Sequence, residues 1–143
     1  MAFSSFASDL VAEDSNDHID IFVYDRDTQQ NELLIAGLDA DSRNPSISVD
    51  GRFVAFDSNA NNLVPGVNSG EGEFGRNTNI LVHDRVTGTT EALTAGADGR
   101  SFAPSISGDG RFVAFESNAT NLVTGDTNGP TSDILLYLSL IHI

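Results

Sequence analysis

Two short segments of this chain cluster oxygen donors of the kind a hard cation takes. Asp14, Asn16 and Asp20 fall in one, and Asp126, Asn128 and Asp133 fall in the other, where Gly129 would allow a tight turn. Carboxylate and amide oxygens gathered on one loop are what calcium, with six to eight oxygen ligands, requires. Calcium is therefore the cofactor these six residues suggest. The EF-hand order D-x-[DN]-x-[DN]-G is not met, and an intermediate copy of the segment has Val67 in place of the first carboxylate. Asp and Asn also build ordinary loops through Asx turns, and that reading ranks ahead of calcium.

Other reactive side chains form no such pattern. His18, His83 and His142 have no repeated spacing that would build a zinc triad. No G-x-S-x-G elbow, phosphate-cradling glycine loop or G-x-G-x-x-G fingerprint occurs. The 21 acidic residues include no pair singled out for acid-base work, and the chain is not expected to be an enzyme. Asp25 and Asp84, each followed by arginine, read as turn caps with local pairing, and Asp50 and Asp109 as hairpin residues.

The elements that would position these loops are strands. The 143 residues are 39% apolar and include 13 glycines, enough for a core without suggesting disorder. Short β-rich apolar runs recur without a helical apolar period, so helices are expected to be minor or absent. A formal charge of −14, from 21 acidic against 7 basic residues, repels phosphate backbones and anionic lipid, which argues against a nucleic-acid partner. The absence of cysteine excludes disulfides and thiolate metal sites. The N-terminal MAFSSFASDLVAED lacks the basic and apolar regions of a signal peptide, and no run approaches the roughly 18 apolar residues of a membrane span.

Self-similarity supplies the architecture. NPSISVDGRFVAFDSNANNLV, from Asn44, returns as APSISGDGRFVAFESNATNLV from Ala103, a shift of 59 positions. The same shift carries Asp25-Arg26 onto Asp84-Arg85, Gly37 onto Gly96 and Ser42 onto Ser101. A further copy begins at Ala2, where AFSSFASDLV matches AFDSNANNLV from Ala55 with a shift of 53. Six extra residues near Gly70 to Gly75 account for the difference and belong in a surface loop.

Each period predicts four strands. The first is PSIS, Pro45 to Ser48 and Pro104 to Ser107; the turns Asp50-Gly51 and Asp109-Gly110 supply positive φ before the second strand. That second strand, RFVAF at Arg52 to Phe56 and Arg111 to Phe115, is apolar on both faces, as in a sheet packed between two others; Phe112 and Phe115 are accordingly expected in the core. The third is DIFVYD at Asp20 to Asp25, NILVHD at Asn79 to Asp84 and DILLY at Asp133 to Tyr137. The fourth, NELLIA from Asn31 and TEALTA from Thr90, is less apolar and suits an outer edge. Four antiparallel strands recurring at this length describe a propeller blade, which buries its faces only against its neighbours. A β-sandwich ranks second, because it does not require a near-identical repeat.

The run PSISxDGRFVAFxSNAxNLV, followed by DIxxxD, a turn and a TEALT-like strand, resembles the TolB-like or WD40-like (PD40) β-propeller repeat over Ala2 to Tyr137. The resemblance implies an all-β fold with residues 1–138 divided into a partial blade 2–43, a blade 44–102 and a partial blade 103–138, and with 139–143 as a tail off the pattern. The ten strands amount to about two and a half four-stranded antiparallel blades, an incomplete ring, since closed propellers have at least four. Met1-Ala2-Phe3 falls where Val54-Ala55-Phe56 lies in the next copy, and LSLIHI follows Tyr137 where an Asp-Arg turn is expected. A fragment of a longer gene is the expectation, with a homo-oligomer that completes the ring as the alternative. The resemblance also implies a bacterial protein, periplasmic or extracellular, that acts as a non-catalytic binding or scaffold module with a protein or small-ligand partner at one rim. The alternative is the propeller portion of a larger, prolyl-oligopeptidase-like hydrolase whose catalytic domain lies elsewhere.

Overall fold

The computed structural model describes residues 1–67, 71–72 and 75–138. Its strands are β1 (Ala2–Ser5), β2 (Asp20–Asp25), β3 (Gln30–Leu33), β4 (Ser42–Ile47), β5 (Phe53–Ser58), β6 (Glu71–Gly72), β7 (Gly75–Arg76), β8 (Asn79–Asp84), β9 (Thr89–Ala92), β10 (Ser101–Ile106), β11 (Phe112–Ser117) and β12 (Asp133–Leu138). They form antiparallel sheets in the orders β1-β2-β3, β4-β5-β8-β9 and β10-β11-β12, with β6 and β7 as a separate small ladder. No helix among the described residues is long and apolar enough to cross a membrane. The chain is all-β, with sheets of three, four and three strands.

Alternating side chains stack the sheets. On the middle sheet Val54, Phe56 and Leu81 face the first sheet and share a core with Ile21, Val23 and Leu34. The intervening residues Phe53, Ala55, Ile80 and Val82 point the other way and join Ile106, Val113 and Phe115 of the last sheet. Successive strand residues project to opposite faces, so a strand apolar on both faces can serve two cores at once. Every residue of β5 and β8 is buried, as the continuous apolar run of the second strand predicts. The outer strands β3 and β9 are only partly buried.

The last sheet departs from the sequence expectation. Phe115 is 5% exposed, but Phe112 is 39% exposed, and Ile134, Leu136 and Leu138 on β12 are open beside it. Phe53, Ile80 and Val82, the counterparts of Phe112, Ile134 and Leu136, are closed by the last sheet; among the described residues no further blade sheet lies against Phe112.

Local geometry refines the strand boundaries. The first strand begins at Ser42 and Ser101, three residues before the proline, because a register shift at Arg43/Ser46 and at Phe102/Ser105 absorbs Asn44-Pro45 and Ala103-Pro104. A bulge accommodates the proline, which has no N–H for the ladder. Asn44 and Ala103 take φ of 51° and 52° there. In the two Asp-Gly hairpins only the glycine takes positive φ: the first turn runs from Ser48 to Gly51, with Gly51 N–H donating to Ser48 O at 2.9 Å. The β6–β7 ladder lies in the inserted segment, of which 68–70 and 73–74 fall outside the described residues, as do the tail 139–143 and His142.

Candidate functional site

The blade topology gives each sheet two ends, one built from tight turns and the other from longer loops. At the turn end the Asp84 carboxylate is fully buried and accepts both Nε and Nη2 of Arg52, at 3.0 and 2.7 Å. It also accepts the amides of Val86 and Thr87. The Arg52 hydrogen bonds come first among the causes that hold its carboxyl far below the usual carboxylate range, against the opposing effect of burial. Asp84 thus caps its turn as expected, but its ionic partner is Arg52 across the sheet. The adjacent Arg85 instead donates to Gly51 O at 2.8 Å and to Glu32 of the first sheet at 2.6 Å. Asp25 caps the equivalent turn through the amides of Asp27 and Thr28, and Asp50 and Asp109 each accept a hydroxyl hydrogen bond of 2.6 Å from a hairpin serine.

At the loop end the calcium candidates occupy two separate places. Asp14 and Asn16 lie between β1 and β2 and Asp20 opens β2, where Asn16 Nδ2 donates to Asp20 Oδ1 and to Leu38 O, both at 3.3 Å. Asp126, Asn128 and Asp133 lie between β11 and β12, more open to solvent, with Asn128 Nδ2 donating to Asp133 Oδ1 at 3.0 Å. An open depression of about 430 Å³ lies over this second loop. Burial, the largest cause, raises the Asp20 carboxyl, with the charges of Asp14 and Asp41 acting in the same direction. His18 Nδ1 sits 3.6 Å from Asp41. His83 is remote in sequence on β8, bonded through Nδ1 to Thr90 at 2.8 Å, and burial lowers its pKa.

Sequence reasoning missed two polar arrangements. One is a buried serine pair in the second and third copies: Ser42 with Ser58, and Ser101 with Ser117, both at 2.9 Å. The second hydroxyl of each pair also ties the preceding loop, through Asp41 O and Arg100 O. The repeated serines were visible, but their pairing 16 residues apart required the register. The other is a cleft of about 360 Å³ at the leading ends of β4 and β10, lined by Asp41, Arg43, Asn44, Asp57, Asn59, Thr78, Arg100 and Phe102. Asp57 Oδ2 there accepts Asn44 Nδ2 at 2.8 Å and Ala103 N at 3.0 Å, joining the bulges of successive sheets. Burial pushes the Asp57 carboxyl up, while these hydrogen bonds and the charges of Arg43 and Arg100 pull it down.

No protein-family model matches the sequence, and no curated protein matches it. Solved structures do match. The chain is similar to TolB from Acinetobacter baumannii, with 21% identity, a TM-score of 0.54, and coverage of 96% of this chain and 27% of that one. It is also similar to the tricorn protease, with 21% identity, a TM-score of 0.50, and coverage of 69% of this chain and 9% of that one. The chain therefore spans about a quarter or less of these structures, and the likeness establishes the β-propeller fold.

Proposed function

We propose that this chain is a non-catalytic scaffold segment that stacks against further propeller repeats and presents its rim and inner cleft to a partner. The observation that carries this reading is the open face of the last sheet. Phe112, Ile134 and Leu136 occupy the positions of Phe53, Ile80 and Val82, which in the middle sheet are almost fully buried against the next sheet. A contiguous apolar face of this kind marks an association surface. Its partner on this reading is another sheet of the same repeat, supplied by a longer chain or by a second copy that extends the ring. The cleft, with two arginines and two aspartates among its lining residues, suits a small polar ligand or a protein side chain.

Light scattering across a concentration series tests the docking face. The chain is expected to associate as concentration rises, and Leu136→Lys, at a site 70% exposed, is expected to remain monomeric while keeping its melting temperature. A strictly monomeric parent chain at all concentrations would contradict the reading.

The similarity to the tricorn protease favours a second reading, in which the segment belongs to a larger hydrolase whose chemistry resides in another domain. Flanking coding sequence that continues into an α/β-hydrolase segment would support it, whereas further repeats alone would support the scaffold.

A further inference from the structure

The structure leaves two buried carboxylate oxygens without a hydrogen-bond partner, Oδ2 of Asp14 and Oδ2 of Asp20. The residues are 7% and 0% exposed. Both lie on the loop that leads into β2, and Asp14 is among the charges acting on Asp20. Two carboxylates withdrawn from water, each with an unmet oxygen, are costly unless a proton or a cation joins them. Arg43 does not fill this role, because its guanidinium is engaged with Asp41 Oδ2 at 2.7 Å, and His18, whose charge also acts on Asp20, stands beside Asp41 at 3.6 Å.

The middle copy shows that the local turn and the link to the next sheet do not need these carboxylates. Val67, Asn79 and Arg100 stand in the middle copy where the first has Asp14, Asp20 and Asp41. The same local turn still closes, with Val67 N–H donating to Val64 O at 3.1 Å as Asp14 N–H donates to Val11 O at 3.4 Å. The same link to the next sheet also persists, Ser101 N to Thr78 O in the middle copy and Ser42 N to Ile19 O in the first. Asn79 Oδ1 has a partner in the Thr94 hydroxyl at 3.2 Å. In the middle copy, whose connection carries six extra residues, the local turn and the link to the next sheet thus persist without these three carboxylates.

We propose that the loop from Asp14 to Asp20 binds a divalent cation, with Oδ2 of Asp14 and of Asp20 as its anionic ligands and calcium as the ion best matched to them. Among the described residues no three carboxylate, imidazole or thiol side chains gather into a metal group. The rest of the shell therefore falls to carbonyl oxygens and water, which calcium accepts because its coordination is large and flexible. Two carboxylates place the affinity at the weak end of protein calcium sites, with Kd on the order of 10⁻⁴ to 10⁻³ M. The third-copy loop repeats the Asn-to-Asp hydrogen bond but has none of the unpartnered buried oxygens, so it is not part of the proposed site.

The test is thermal unfolding of the full chain in excess calcium and in chelator, with sodium chloride adjusted to equal ionic strength, alongside a calorimetric calcium titration. Calcium at about tenfold above Kd is expected to raise the melting temperature by roughly 3 to 6 °C, and the titration is expected to give one ion per chain. Asp20→Asn, which installs the residue the middle copy already carries, should abolish both effects while melting in chelator no lower than the parent. Asp126→Asn combined with Asp133→Asn should leave both intact. Identical melting of the parent with calcium and with chelator would overturn the proposal, as would a calcium response that survives Asp20→Asn or is lost in the third-copy variant.

Discussion

The middle and last sheets share the sequence RFVAF yet meet different surroundings. Arg52-Phe53 opens one copy and Arg111-Phe112 the other, but Phe53 lies against the next sheet and Phe112 faces outward. The charged partners differ as well: Phe53 pairs in register with Asp84, whereas Phe112 pairs with Leu138. Arg52 therefore has a buried carboxylate to hold, while in the last sheet a leucine takes that place. Burial in a stacked-sheet protein is thus a property of a residue's position in the stack, and identical pentapeptides carry different energies.

Matched substitutions should expose the difference. Phe53→Ala is expected to cost about 3 to 5 kcal/mol in denaturant unfolding, because a large side chain leaves a closed core. Phe112→Ala should cost under about 1 kcal/mol, in the range of surface substitutions. Equal costs would mean that the last sheet's outer face is covered in solution.

The two hairpin glycines form a second pair. Gly51 and Gly110 have φ of 73° and 74°, so alanine at either is strained by about 1 to 2 kcal/mol. A Cβ at Gly110 would also stand 2.5 Å from Cδ2 of Phe53, whereas the nearest atom at Gly51 is Arg85 Nη1 at 3.7 Å. Gly110→Ala should therefore exceed Gly51→Ala by about 1 to 3 kcal/mol, the range for forcing extra atoms into a packed core. Phe53→Ala should remove that excess.

The smallest contrast is electrostatic. Asp84→Asn should cost about 1 to 2 kcal/mol at neutral pH, a charge-assisted pair reduced by the partial exposure of Arg52. Because the folded pKa of Asp84 lies below the ordinary 3.8, its stabilisation is complete above that value and is lost as pH falls through the folded pKa. Asp57 behaves oppositely: its raised pKa gives stability that is present below 3.8 and lost as pH rises through the folded value. Unfolding free energy measured from pH 2 to 7 should decline less steeply on the acid side in Asp84→Asn, and lose Asp57's opposing contribution in Asp57→Asn, while the lowered carboxyls of Asp25, Asp41, Asp50, Asp98 and Asp109 and the raised one of Asp20 keep the remainder. Arg111→Gln should change stability by less than about 0.5 kcal/mol.

The repeat of 59 residues made the sheets and most strand limits legible, since β2 and β8 fall where DIFVYD and NILVHD predict. Other features depend on the third dimension. The strand limits at Ser42 and Ser101 moved because a bulge carries the prolines, a geometry a period-two pattern does not encode. Arg52 pairs with Asp84 across 32 positions, whereas adjacency in sequence suggested Asp84 with Arg85. Phe112 looked like core because its pentapeptide matches that of Phe53, and only the number of stacked sheets separates the two. At the loop end, the six oxygen-bearing residues were visible, but the unmet oxygens of Asp14 and Asp20 were not, because they depend on burial.

The face-to-face stack is tested most directly by a double-mutant cycle between Phe53 of the middle sheet and Phe115 of the last, which share one core. Stacked sheets predict a coupling of about 0.5 to 3 kcal/mol between the two alanine substitutions. Strict additivity would mean that the two phenylalanines do not share a core, and would contradict the stacked arrangement.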